Sequence, residues 1–295
     1  MRQAECVSEE RFLLGESARL DTATGGVTWV DIDNGAMYYA RPGFRNSRTL
    51  LRVPDIITAA VPAKFAGYGV ALRDRIMAID SRGGRRSSAS LFADGAIGRL
   101  NDMAVDPAGR LLVGSMTLGA ELGSECLWQV DDDGSLVVLD DDLTISNGLG
   151  WSPDGRTLYS VDSTPGRVHR REYDPATGRV GRRRLFVDFA ELDGEPDGLA
   201  VDAAGCVWIA CWGAGQVLGF DPMGKVVDGV TVDARLTTSC AFVGGDLSTM
   251  FITTANKEKP GGSLHAGCNF AIAMPTPGLP PVPWEVPTKF MLHSV

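Results

Sequence analysis

The sequence is poor in histidine, with His169, His265 and His293 as its only three and two of them late in the chain, so chemistry built on imidazoles is thinly supplied. It has no G-x-S-x-G elbow, which argues against a Ser-His-Asp hydrolase of that type. It has no GxxxxGK[ST] phosphate loop, and the nearest approach to a dinucleotide fingerprint, GYGVAL at Gly67, is incomplete and reads as a tight turn. The six cysteines (Cys6, Cys126, Cys206, Cys211, Cys240, Cys268) include no CxxC pair, which argues against a zinc ribbon or a thioredoxin-like site. No apolar run approaches the ~20 residues that span a bilayer. The opening MRQAECVSEERF lacks the apolar core of a signal peptide, so a cytoplasmic protein with reduced, mostly buried thiols is expected. No long basic run is present either. The triplet at Arg182, Arg183 and Arg184 stands alone and reads as a solvated turn, and the net charge of -9 does not suit a nucleic-acid binder.

What the chain has in quantity is glycine, 36 residues of 295, spread between short apolar runs. That pattern predicts an all-β chain with many turns. Four segments align with one another: LDTATGGVTWVDI from Leu20, VDPAGRLLVGSM from Val105, WSPDGRTLYSVDS from Trp151 and VDAAGCVWIACW from Val201. A weaker fifth, FVGGDLSTMFITTA, starts at Phe242, and a degraded copy is expected near GYGVALRDRIMAID, Gly67 to Asp80. Each reads as two antiparallel strands joined by a tight turn. Six copies at a period of roughly 40–50 residues predict a six-bladed β-propeller, one domain over residues 1–295. The proline-rich stretch from Pro275 to Pro287 reads as a tail or an extended strap. Trp29, Trp128, Trp151, Trp208 and Trp212 lie near the repeats and read as core residues rather than a ligand platform.

Four residues before each strong repeat stand Glu16, Asn101, Asn147 and Asp197, and the weaker fifth copy puts Thr238 at the same place. In a propeller the first strand of each blade lines the central channel, so these positions fall on one ring. Two carboxylates buried together need a positive partner. Oxygen ligands without His or Cys favour a hard divalent ion, Ca²⁺, Mg²⁺ or Mn²⁺, with Zn²⁺ tolerated. The same residues also read as turn residues before each strand, since Asn-Gly and Asp-Gly are ordinary turn dipeptides.

At these strings the chain resembles the regucalcin and gluconolactonase (senescence-marker-protein) family. The match runs through LLGESARLDTATGGVTWVDI, GRLNDMAVDPAGRLLVGSM, ISNGLGWSPDGRTLYSVDS and EPDGLAVDAAGCVWIACW, and more loosely TTSCAFVGGDLSTMFITTA and PGLPP, in family order from Leu13 to about Pro281. The resemblance implies a propeller with one divalent metal on Glu16, Asn147 and Asp197, substrate contacts from Arg99 and Asn101, and Asp197 as general base as well as ligand. It implies a metal-dependent lactonase acting on a small sugar-type lactone, with the metal as Lewis acid. Two other readings stand beside it: the same ring recruited to a different metal-assisted reaction on a less polar substrate, and a calcium-binding propeller without catalysis. The chain departs from the family at Ser17-Ala18-Arg19, at Met103 where Gly is usual, and in the stretch from 118 to 126. Met103 lies two residues after Asn101, so regular strand alternation predicts it on the substrate side, narrowing the pocket or making it less polar.

Overall fold

In the computed structural model, residues 1–64, 67–92, 97–117, 119, 122–131, 133–258 and 262–287 are described. They form six sheets arranged as a β-propeller. The innermost strands are Gly15–Asp21, Ile57–Ala63, Gly98–Val105, Ser146–Trp151, Glu195–Val201 and Thr237–Val243, one for each blade in chain order. From each the chain steps outward by antiparallel neighbours. The six innermost strands begin at the same end of the channel, so equal register means equal height along the axis.

The ring is closed by the N-terminus. Glu5–Cys6 adds the outer strand of the sixth blade, antiparallel to Phe270–Ala273, while Arg2–Gln3 lies parallel along the outer strand of the fifth. The sixth blade is therefore complete only when both ends of the chain meet. No helix among the described residues is long and apolar enough to cross a membrane.

The repeated D-x-x-G turn has a direct cause. Asp106 Oδ1 accepts from the N–H groups of Ala108 and Arg110, and Asp202 Oδ1 from those of Ala204 and Cys206. The glycine within each turn, Gly109 or Gly205, takes a positive φ of 93° or 87°, which other residues adopt only with strain. A second aspartate recurs at the far end of the adjoining strand. Asp31 accepts from the N–H groups of Leu13 and Leu14, and Asp162 from those of Thr144 and Ile145, fixing the chain as it enters the first and fourth blades.

The second blade lies where the sequence places a degraded copy, but Gly67–Leu72 and Ile76–Ile79 are its second and third strands. Its channel strand is Ile57–Ala63, and the residue there at the ring register is Thr58. Of the five tryptophans read as core, Trp29, Trp151 and Trp208 are buried and Trp128 and Trp212 are half-buried.

The proline-rich segment packs as a strap. Pro277 carbonyl accepts from Ala203 N–H in the fifth blade, and Gly278 N–H donates to Leu247 carbonyl in the sixth. Trp284 pairs its backbone with Pro62 and Lys64 of the second blade, and Glu285 N–H donates to Gly109 carbonyl in the third. The strap thus ties four blades together across one end of the channel. The Trp284 ring is 0% exposed and completes the core between the second and third blades with Ala59, Leu100 and Leu111. Trp284→Ala should lower unfolding stability by about 3–5 kcal/mol, the usual cost of a buried aromatic truncation. Urea unfolding of the two proteins measures it, and a loss within 0.5 kcal/mol, roughly the surface-substitution range, would show that the strap is not part of the core.

Candidate functional site

All six channel strands carry a β-bulge at one level. The pairing register with the neighbouring strand slips between Glu16 and Arg19, Ile57 and Ala59, Leu100 and Met103, Asn147 and Leu149, Pro196 and Leu199, and Thr237 and Ser239. A bulge leaves an extra residue on one strand, breaks the side-chain alternation and re-aims the side chains beyond it. Glu16, Thr58, Asn101, Asn147, Asp197 and Thr238 all sit in or beside these slips. The ring is therefore a feature of the backbone as well as of the sequence.

Glu16 and Asp197 are the two ring carboxylates. Glu16 Oε2 accepts from Ser17 N–H at 2.8 Å. Ser17 has a positive φ of 52°, unusual for a residue with a side chain. Its hydroxyl offsets the strain by bonding both the N–H and the carbonyl of Ala60 in the next blade. Burial pushes the Glu16 carboxyl up to about 8, and Asp102 adds to the rise; Ser17 N–H, Arg99 and Arg19 oppose it. Asp197 is likewise raised well above the usual carboxylate range, first by burial, then by the charges of Glu16 and Asp102, against the hydrogen bond from Asn147. Asp197 feels the charge of Glu16, and both feel Asp102, so the ring gathers these carboxyl groups in one pocket.

Asn147 joins Asp197 directly: its Nδ2 donates to Asp197 Oδ1 at 2.5 Å and to Ser163 Oγ at 3.2 Å, while its Oδ1 accepts from Gly148 N–H. Close approach of the fourth and fifth blades makes this possible. A Cβ on Gly148 would lie 2.5 Å from Asp197 carbonyl oxygen, so glycine is required there.

Arg99 and Asn101 form a pair on the third blade. Arg99 Nη1 donates to Asn101 Oδ1 at 2.7 Å and to Leu100 carbonyl, and Asn101 Nδ2 donates to Ser146 carbonyl of the fourth blade at 2.9 Å. Burial lowers the Arg99 pKa, while Glu16, Asp33 and Asp197 work against that. Thr238 Oγ1 is committed to Gly15 carbonyl and to Thr253 Oγ1, so at its place on the ring it seams the sixth blade to the first.

Two charged groups at the site escaped the reading of the sequence. Asp102 is buried next to Asn101, and its Oδ1 accepts from Met103 N–H. Arg19 reaches from the first blade past the second and donates Nη2 to Asp102 Oδ1 at 3.2 Å and to Met103 carbonyl at 2.8 Å. The signal was present in Arg19, a charged residue where the family resemblance calls for an apolar one. Asp102 gave none, since an Asn-Asp pair before a strand reads as a turn.

Met103 does not face the pocket. The bulge across Asn101 and Asp102 turns it away, and its side chain is 0% exposed among Ala59, Leu100, Leu111 and Val113 between the second and third blades. Of the 118–126 stretch, residues 118, 120 and 121 lie outside the described residues.

The donor set offered by Glu16, Asn147 and Asp197 is two carboxylates and one amide. Among the described residues no group of three or more His, Cys, Asp or Glu side chains is placed to hold a metal ion.

A six-bladed propeller with this carboxylate ring defines the class of protein. Residues 14–256 match the family described as SMP-30/Gluconolactonase/LRE-like region, and the chain belongs to that family. It is 31% identical to regucalcin of Danio rerio over 95% of this chain and 97% of that one. It is 32% identical to a 6-deoxy-6-sulfogluconolactonase of Pseudomonas putida, covering 93% of this chain and 96% of that one. Among solved structures, a calcium-binding protein, regucalcin, from Agrobacterium tumefaciens superposes with a TM-score of 0.89 at 27% identity, over 97% of this chain and 98% of that one.

The burial of Met103 predicts a stability effect and not a change of specificity. Met103→Ala should destabilise the fold by about 2–5 kcal/mol through the cavity it leaves, with the ratio of kcat/KM between any two substrates unchanged. Denaturant melts and paired kinetics check both halves, and a shifted ratio at wild-type stability would return Met103 to the pocket.

Proposed function

We propose that the chain hydrolyses a small sugar-type lactone with the help of one divalent cation held by Glu16, Asn147 and Asp197. The observation that carries this reading is the meeting of those three side chains at one level of the channel, beside the Arg99–Asn101 pair. Relatives named as lactonases support it.

The donor set fits a hard cation. All three donors are oxygens, which suits Ca²⁺, Mg²⁺ or Mn²⁺ and tolerates Zn²⁺. Burial is the main cause of the raised pKa values of Glu16 and Asp197, and a bound cation would offset it. To act as a ligand, Asn147 must present Oδ1, which here accepts from Gly148 N–H, in place of Nδ2. When bound, the cation supplies Lewis-acid polarisation of the lactone carbonyl.

The chain's own residues do the rest. Asp197 is the general base that takes a proton from the attacking water, and burial makes its carboxylate the stronger acceptor. That proton goes on to the ring oxygen as the acyl C–O bond breaks, leaving a hydroxy acid. Arg99 and Asn101 hold the substrate's oxygens, kept in place by their mutual hydrogen bond and by Ser146. The six cysteines are all free, which suits the cytoplasmic setting this reading carries with it.

Purified protein should bind close to one divalent ion per chain, and chelation should lower its melting temperature. Elemental analysis and thermal melts with and without chelator test this; no bound ion and no response to added Ca²⁺, Mg²⁺, Mn²⁺ or Zn²⁺ would remove the metal site.

Asp197→Asn keeps the shape and one oxygen but cannot take a proton at neutral pH. With saturating metal it should stay folded, regain occupancy and turn over a panel of aldonolactones about 10²–10⁴-fold more slowly. Full recovery of rate with metal would leave Asp197 as a ligand only. Asn101→Ala should raise KM with metal binding near normal, since it is assigned to substrate. Metal binding by the wild type with no lactone turned over would sink the catalytic reading as a whole.

A further inference from the structure

At the level of the ring, side chains pin one blade to the next. Ser17 Oγ joins the first blade to Ala60 of the second, and Asn101 Nδ2 joins the third to Ser146 of the fourth. Asn147 Nδ2 joins the fourth to Asp197 of the fifth, and Thr238 Oγ1 joins the sixth to Gly15 of the first. Two steps lack such a bond among the described residues. Between the fifth and sixth blades the backbones themselves close up, since a Cβ on Gly198 would lie 2.9 Å from Ser239 Cα. Between the second and third, Thr58 makes no crossing: its Oγ1 donates to Ala71 carbonyl in its own blade. Arg19 reaches past this place, from the first blade to the third.

What Arg19 holds there is the bulge that carries Asn101. The strand pairing slips between Leu100 and Met103, so Asn101 and Asp102 have no regular partner on the neighbouring strand. Asp102 Oδ1 accepts from Met103 N–H at 2.8 Å and from Arg19 Nη2 at 3.2 Å. The same Nη2 donates to Met103 carbonyl at 2.8 Å, and Nη1 is anchored on Ala18 carbonyl. Arg99 and Ser146 hold the Asn101 amide itself, while Arg19 holds the backbone just beyond it. The Arg19 and Asp102 side chains are 17% and 10% exposed, so water competes little for these charge-assisted bonds.

We propose that Arg19 is a positioning residue: acting through Asp102 and Met103, it fixes the third-blade bulge and so aims the Asn101 amide at the substrate. The proposal rests on the reading of Asn101 as a substrate contact. A rival role for Arg19 is that of a counter-charge alone. Its removal leaves the buried Asp102 carboxylate unpaired, which is destabilising in itself. The experiment therefore separates the grip from the charge.

The test uses the full chain as Arg19→Met and as the double variant Arg19→Met/Asp102→Asn. The double variant leaves no buried charge unpaired and keeps an acceptor for Met103 N–H. The first readout needs neither substrate nor metal. It is solvent exchange of the Asn101 side-chain amide by NMR, with the signal assigned through its loss in Asn101→Ala. Both variants should speed that exchange about 10-fold, the scale of one lost hydrogen bond. With saturating metal, both should also raise KM for an aldonolactone about 10-fold and leave kcat within about 3-fold of the wild type. Arg19→Lys keeps the charge and can still donate to both acceptors, and should return both readouts towards the wild type. Exchange at the wild-type rate in the double variant overturns the proposal, because Arg19 is then a counter-charge only. A fall in kcat at unchanged KM overturns it as well. Where Arg19→Met does not fold, the double variant decides alone. A wild type that turns over no aldonolactone ends the lactonase reading, and the exchange rates then decide on Arg19 by themselves.

Discussion

Two carboxylates buried in one channel repel each other, and most of what surrounds the ring of this propeller answers that repulsion. Burial raises the proton affinity of Glu16 and Asp197, the charge of Glu16 raises that of Asp197 further, and Asp102 adds to both. Nearby polar groups oppose the rise: Asn147 donates to Asp197, Ser17 N–H donates to Glu16, and Arg99 lies within reach of both charges. A third buried carboxylate, Asp102, would make matters worse, and Arg19 crosses from another blade to meet it. Three carboxyl groups then face two guanidinium groups. A divalent cation at the ring would supply positive charge that favours the ionised forms of Glu16 and Asp197.

The bulges explain why a ring can be built from six separate strands. A regular strand alternates, so a residue facing the channel is succeeded by one facing the blade interior. A one-residue slip at the same level in every blade lets adjacent residues serve both demands. Asn101 points to the site while Met103, two positions on, enters the core; Glu16 accepts a hydrogen bond from the residue that carries the strained φ. Ser17 takes that strain because its hydroxyl spans to Ala60 of the next blade, so the local distortion is stabilised by a contact between blades.

These bulges mark the limit of what can be read from the residues alone. The blade number was legible because the turn chemistry repeats, with Asp accepting two N–H groups and Gly supplying positive φ. The ring was legible because Glu16, Asn101, Asn147 and Asp197 hold one register. The Met103 reading failed because it assumed regular alternation, and nothing in Asn-Asp-Met-Ala announces a slip of one residue. The second blade was displaced by one strand for a related reason: its channel strand, Ile57–Ala63, carries Thr58 at the ring and no D-x-x-G turn after it. Arg19 and Asp102 are far apart in sequence, and only ring closure puts the first and third blades within reach across the channel.

The strap and the N-terminal strands place the same demand on the fold from opposite sides. A propeller ring has no covalent closure between its first and last blades, so something must hold the seam. Here Glu5–Cys6 completes the sixth blade, and Thr238 bonds Gly15 carbonyl at the level of the ring itself. The strap then links the fifth and sixth blades to the second and third, bridging the seam from below. Glu16 belongs to the first blade and Asp197 to the fifth, so their separation depends on that seam staying shut. Trp284 packs into the core between the second and third blades and Leu279 against that between the fourth and fifth, so closure below the ring rests on apolar contacts. The geometry of the ring is thus set by apolar packing at the far end of the channel as much as by the polar groups that form it.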